Sequence, residues 1–210
     1  MGRYDVRMPK PVDVEERRRA IADAVFELVD ERGVEGASLR NVAERSGLNI
    51  GSVRHYVDGA SGMLALAARV MAERVEARLR AIASRASERG MDGEQVALDL
   101  FEEFLPLDER RRHEVTVWLA FTELARVEPD FAAEAKNLLE APREVSALVL
   151  QRAGVADVRL GAELMAASID GLTLALLHDP GRISQGEVRE LLRAQLGLCM
   201  ALRSEGGDAE

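Results

Sequence analysis

Cysteine is almost missing from this chain of 210 residues: Cys199 stands alone, so no intrachain disulfide can form. The fold must therefore be held by a hydrophobic core, which 47% apolar content over this length supplies without a covalent staple. Cys199 falls on the helical spacing Val188, Leu191, Leu192, Leu196, Cys199, which favours a buried thiol over a redox sensor. A long uninterrupted apolar run is also missing. The N-terminal MGRYDVRMPK has no apolar centre for a signal peptide, and Leu160 to Leu177 is broken by Glu163 and Asp170, so no membrane span is expected and the protein reads as cytoplasmic. Enzymatic signatures are lacking too. His55, His113 and His178 have no metal-ligand spacing, no Gly-rich loop follows a strand, and no Ser or Cys sits in a nucleophile motif, so neither a metal nor a cofactor is implied. There is no internal repeat and no low-complexity tract. Lysine is nearly absent, two against 26 arginines, a habit of base composition rather than a functional signal.

What is present is helical throughout. No alternating strand pattern and no Asn-Gly hairpin signal occurs, and the apolar residues recur at three and four. The first helix spans Val14 to Arg32, with Val14, Ile21, Ala24, Val25, Leu28 and Val29 on one face and Gly33 at its end. Beyond residue 60 six more segments follow. Leu64, Ala67, Ala68, Met71, Val75 and Leu79 form a stripe in the fourth helix, which starts at about Ser61. Ala97, Leu100, Phe101 and Phe104 form the fifth, ended by Leu105-Pro106. The sixth runs from Glu109 to Arg126, the seventh from Pro129 to about Gln151, the eighth from about Val158 to His178, and the ninth from Ser184 to about Arg203. The expected fold class is all-α with about nine helices: a three-helix N-terminal domain over residues 11–60 and a larger helical domain over 61–204. Residues 1–10 and 205–210 are expected to be flexible tails.

Residues Ser38 to Val57 carry the chemistry. The run SLRNVAERSGLNIGSVRHYV holds two short helical patterns broken at Ser46-Gly47-Leu48-Asn49. Gly47 can take the left-handed conformation that ends a helix, Ser38 and Asn49 can cap the two helices, and Ser52 sits where it can reach back in a weak capping box. Leu39, Val42 and Ala43 face inward on one helix, Val53 and Val57 on the next. The outward face is then Ile50, Gly51, Arg54 and His55, with Ser52 and Tyr56 at its flanks. That surface suits a DNA major groove: Arg54 can pair with a guanine edge, and Gly51 lets the backbone approach the duplex. A Gly turn between short amphipathic helices also occurs in proteins that never touch DNA.

The segment from Ile21 to Leu64 is similar to the N-terminal domain of the tetracycline-repressor (TetR) family of bacterial regulators. The resemblance is carried by Glu31-Arg32-Gly33 closing the first helix, Ser38 opening the second, Val42-Ala43 inside it, the Gly47-Leu48-Asn49 turn, and Tyr56 near the end of the third. Trp118-Leu119-Ala120-Phe121 and Ile169-Asp170-Gly171-Leu172 resemble, more loosely, the C-terminal domains of the betaine-pathway regulator branch. The resemblance implies that Arg40, Ile50, Gly51, Arg54 and His55 face base edges while Ser52 and Tyr56 hold phosphates. Two departures follow. Position 54 is usually aromatic in the family and is Arg here, so the operator sequence does not transfer. Where many relatives place a phosphate-binding Lys this chain reads Asp58-Gly59-Ala60-Ser61-Gly62, leaving that contact to backbone N–H groups at the helix N-terminus.

The formal charge of −9 falls outside the DNA-reading part. Residues 1–57 hold ten basic and ten acidic residues, so the acid lies in the remainder. A neutral reader with Arg40, Arg45 and Arg54 near one surface is compatible with phosphate binding, and Arg3, Arg7 and Lys10 are either a basic arm or a solvated tail. The eighth helix is apolar nearly all round from Gly171 to Leu177. Gly171, Leu174, Ala175 and Leu198, with the small residues Ala166 and Ala167, are expected at a two-fold interface between copies, forming a homodimer with a four-helix contact. Met71, Phe101, Phe104, His113, Trp118 and Phe121 lie where the family lines its ligand cavity, and each is also a candidate for ordinary core. Ser168, Asp170 and Thr173 are polar in an apolar helix and need partners. Asp170 can find one in an Arg across the dimer, in helix backbone or in a ligand. The function expected is a dimeric repressor of a palindromic operator, released by a hydrophobic or amphipathic small molecule with His113 or Asp170 as its polar anchor. The rival is a module of the same fold that binds DNA or a protein and takes no effector.

Overall fold

In a computed structural model the chain is described over residues 11–202; the expected basic arm and both expected tails lie outside the described residues. Among those residues there are nine α-helices and no strand. They are α1 (Pro11–Arg32), α2 (Leu39–Ser46), α3 (Ile50–Tyr56), α4 (Gly59–Arg89), α5 (Gly93–Glu102), α6 (Glu109–Val127), α7 (Ala132–Arg152), α8 (Val158–His178) and α9 (Gln185–Met200). Single 3-10 turns at Val34–Gly36 and Pro129–Phe131 precede α2 and α7. The chain divides into two compact units between Val70 and Met71, a division that passes through α4.

In the first unit Ile21, Val25 and Leu28 of α1, Val42 of α2 and Val53 of α3 are buried together with Met63 and Leu64 of α4. Val14, expected in that stripe, is 46% exposed; the buried face of α1 begins only at Ile21, about two turns later. Arg45 of α2 is bound to Glu27 at 2.7 Å and to Glu31 at 2.8 Å, both on α1. Those carboxylates, Glu31 first, hold its guanidinium above the usual arginine range. Arg45 thus ties α2 to α1.

In the second unit α8 packs against α7 and α9, and α5 against α7 and α9. The core is built from Leu98, Phe101, Leu150, Met165, Ile169, Leu192, Leu196 and Cys199. Gly161 lies close against α7: a Cβ there would sit 2.8 Å from Leu150 Cδ1, and that side chain would have to turn away to admit it. The Cys199 thiol donates to the Gly161 carbonyl, and burial pushes its pKa up against an opposing hydrogen bond from Gln195, which makes it an inert core group. Helix α8 is long and apolar enough to cross a membrane, yet Met165, Ala166, Ile169, Thr173 and Leu176 are buried within this unit. Ala166, expected at a subunit interface, therefore belongs to the chain's own core. Leu191, expected in the α9 core stripe, is 47% exposed because the stripe runs through Val188, Leu192, Leu196 and Cys199.

Candidate nucleic-acid interface and ligand cavity

Helix α2 begins where Ser38 accepts a hydrogen bond from the Asn41 N–H at 3.2 Å. It ends at Gly47, whose φ of 70° is left-handed, with the Leu48 N–H reaching back to the Ala43 carbonyl at 3.1 Å. Two residues later the Asn49 side chain accepts from the Ser52 N–H at 2.8 Å and starts α3. The reciprocal half of the capping box is not formed, which leaves the Ser52 hydroxyl unspent. With Val53 fully buried and Val57 nearly so, the α3 surface consists of Ile50, Gly51, Arg54 and His55, all exposed, flanked by half-buried Ser52 and Tyr56. His55 and Tyr56 meet edge to face with ring centroids 5.5 Å apart. Arg40 on α2 is exposed as well. No ion pair or hydrogen bond engages the guanidinium of Arg40 or of Arg54 among the described residues, in contrast to Arg45. Gly51 has a Cβ position only 3.3 Å from Asn49 Oδ1, so a side chain there would crowd the cap as well as the surface.

The second unit contains a cavity of about 550 Å³, a size typical of small-molecule sites. Its apolar wall comes from Met71, Val75 and Leu79 on α4, Leu100 on α5, Trp118 on α6, and Leu138, Val145 and Val149 on α7. Of the seven residues expected at a ligand, Met71, Phe104, Trp118 and Asp170 line it. Phe101 does not: it is fully buried in the core between α5, α8 and α9. Phe121 is also fully buried, one turn past Trp118, and packs on Phe131 at 5.7 Å. His113 is off the wall because it neighbours Glu114, the α6 residue that does turn to the cavity. Two contributions went unread in the sequence. One is the α7 stripe Leu138, Pro142, Val145, Val149, whose spacing was visible but whose partner was not. The other is a charge cluster at the cavity edge, where Arg78 of α4 bonds Glu103 and also Glu114 of α6, the latter at 2.8 and 3.2 Å. Burial alone would pull the Arg78 pKa down; Glu114 and then Glu103 more than reverse it. Glu114 is only 3% exposed, although it ends the charged run Glu109 to Glu114 and so looked like a solvated residue in the sequence.

The polar residues of α8 are accounted for separately. The Ser168 hydroxyl donates to the Leu164 carbonyl at 2.9 Å and the Thr173 hydroxyl to the Phe104 carbonyl at 3.4 Å. Asp170 is half-buried on the cavity wall, and no hydrogen bond or ion pair reaches it among the described residues. Burial pushes its carboxyl above the ordinary range, with Arg143 acting weakly in the opposite direction. On the outer surface of this unit Leu160, Leu164, Ala167, Gly171 and Leu174 of α8 are exposed at steps of four and three, and Leu191, Ala194 and Leu198 of α9 are exposed in the same rhythm. Leu198 is 66% exposed, Leu174 44%, Gly171 exposed, and Ala175 half-buried.

Comparison with known proteins places this geometry. Residues 93–200 match the family described as BetI-type transcriptional repressor, C-terminal. The HTH-type transcriptional regulator PksA of Bacillus subtilis is 34% identical over 192 residues, covering 88% of this chain and 90% of that protein. The HTH-type transcriptional regulator BetI of Burkholderia mallei is 31% identical over 191 residues, covering 82% and 89%. Among solved structures, a transcriptional regulator from Rhodococcus sp. Rha1 superposes with a TM-score of 0.76 at 32% identity, over 87% of this chain and 95% of that one. The multidrug binding protein EbrR, complexed with imidazole, shares the fold with a TM-score of 0.64 at 22% identity, over 97% of this chain and 100% of that one.

Proposed function

The chain belongs to the TetR family of transcriptional regulators, with a C-terminal domain of BetI type, and on that premise we propose that it is a cytoplasmic repressor that binds a palindromic operator as a dimer and is released by a small molecule. The observation that carries this reading is the outer surface of α3, where Arg54 stands exposed and unpaired above a fully buried Val53. An arginine held in that way offers a bidentate donor to a guanine edge at no cost to the fold. Arg40, Ile50, Gly51 and His55 meet the remaining base edges, and the Ser52 and Tyr56 hydroxyls take phosphates.

The outward stripes on α8 and α9 support a second copy as their cover, giving the two readers a fixed separation. The cavity supports an effector of hydrophobic or amphipathic character, with Asp170 as the polar anchor. Release then follows from continuity of the chain. Met71, Val75 and Leu79 line the cavity on the same helix that begins at Gly59 in the reader unit, so a ligand that displaces α4 moves the reader with it. A dimer whose recognition helices no longer match both half-sites loses most of its affinity, because the second contact is no longer intramolecular.

Arg54→Ala tests the reading. Its melting temperature is expected to stay at the wild-type value while specific operator affinity falls by about 1–3 kcal/mol and base preference relaxes at one symmetric pair of positions. Tyr56→Phe weakens binding to all sequences alike. An Arg54→Ala protein that selects the wild-type site with wild-type affinity contradicts the assignment.

A further inference from the structure

We propose that the cavity selects an amphipathic amine: an apolar body lying against Met71, Val75, Phe104 and Trp118, and a protonated nitrogen that donates an N–H to the carboxylate of Asp170. This rests on the effector reading above and supplies the chemistry of the effector's polar end.

The charges on the wall cancel one another until one remains. Glu76 is paired with Arg80 at 2.7 Å, Glu103 and Glu114 are held by Arg78, and Arg111 is held by Asp108 at 2.8 Å. Glu144 and Arg152 lie exposed at the rim, where water solvates them. Asp170 is the charge inside. It sits half-buried beside Ile169 and Thr173, and its oxygens meet no donor among the described residues. Arg143, the cation that influences it, is spent on Glu163 at 2.9 Å and on the Leu139 carbonyl at 2.6 Å. The neighbouring hydroxyls of Ser168 and Thr173 are likewise committed to carbonyls.

A carboxylate partly removed from water, with no donor on its oxygens and its nearest cation tied to other acceptors, stabilises whatever brings a positive donor to it. A ligand carboxylate would be repelled there, and an alcohol would donate one hydrogen bond to the carboxylate without bringing a charge to pair with it. A quaternary ammonium brings charge without a donor. Such ions are recognised by cages of several aromatic faces, whereas Phe104 and Trp118 are the two aromatic residues on this wall.

Trp118 is the one tryptophan in the chain, so its emission reports directly on the cavity. The full-length protein is titrated at pH 7 with octylamine, octanol, octyltrimethylammonium and octanoate, with melting temperature followed in parallel. Octylamine is expected to bind at least about tenfold more tightly than the other three. Asp170→Asn abolishes that advantage, so that octylamine and octanol bind alike, and Glu144→Gln leaves the advantage intact. Equal or tighter binding of octanol, octyltrimethylammonium or octanoate overturns the proposal, as does an amine advantage that survives in Asp170→Asn. Absence of any emission or melting response to all four rejects the effector cavity itself, a separate outcome.

Discussion

At the residue scale, Arg54 and Asp170, the side chains proposed to meet DNA and effector, are ones that the fold leaves without a partner among the described residues. Arg45 and Arg54 lie nine positions apart in the same motif, yet Arg45 is bound to two α1 carboxylates and Arg54 to none, which leaves Arg54 available for the DNA contact proposed above. Asp170 shows the same distinction among acids. Because burial raises its pKa in the folded chain, its ionised form is the one that folding penalises. That penalty is fully present above the folded-state pKa and disappears as pH falls below the unfolded value, about pH 4. Asp170→Asn is therefore expected to melt at a higher temperature than wild type at pH 7, by a margin that shrinks toward pH 4. Thermal unfolding across that range checks this; a variant less stable than wild type at pH 7 would mean that Asp170 is already partnered.

At the scale of elements, local chemistry made the helices legible and long-range pairing did not. The Ser38 cap, the left-handed Gly47 and the Asn49 cap are each closed by bonds spanning no more than five positions, and α2 and α3 begin and end where those residues place them. Helix α8 likewise spans Val158–His178 as its apolar periodicity implied. Val14, Leu191, Phe101 and Phe121 show the limit. Periodicity says which residues share a face, but whether that face meets the core, the cavity or water depends on which other helix lies opposite. Arg78 is beyond reach of such reading because its partners are 25 and 36 positions away. Its pairing joins α4 to α6 across a nearly dry site, so Glu114→Ala leaves a buried guanidinium undercompensated. Arg78 keeps Glu103, so a loss of about 1–3 kcal/mol in unfolding free energy is expected from chemical denaturation. A loss below about 0.5 kcal/mol, the size of a surface substitution, would show the cluster to be solvated and α4 not clamped there.

At the scale of the whole molecule, the proposed dimer would let a reader with neutral charge and a single recognition helix gain operator affinity by acting in pairs. Gly171 gives the cleanest access to that property. A Cβ built there meets nothing within 4 Å, so Gly171→Leu should leave the single chain folded while blocking close approach of a second α8. The most direct measurement is selection of duplex DNA from a random pool by the full-length protein, wild type beside Gly171→Leu, with the mass of each complex determined. The wild type is predicted to recover an inverted repeat occupied by two chains, its half-sites about one helical turn apart or more, and the variant, folded but monomeric, to recover none. A wild type that enriches no sequence, or a lone half-site bound by one chain, would contradict the account.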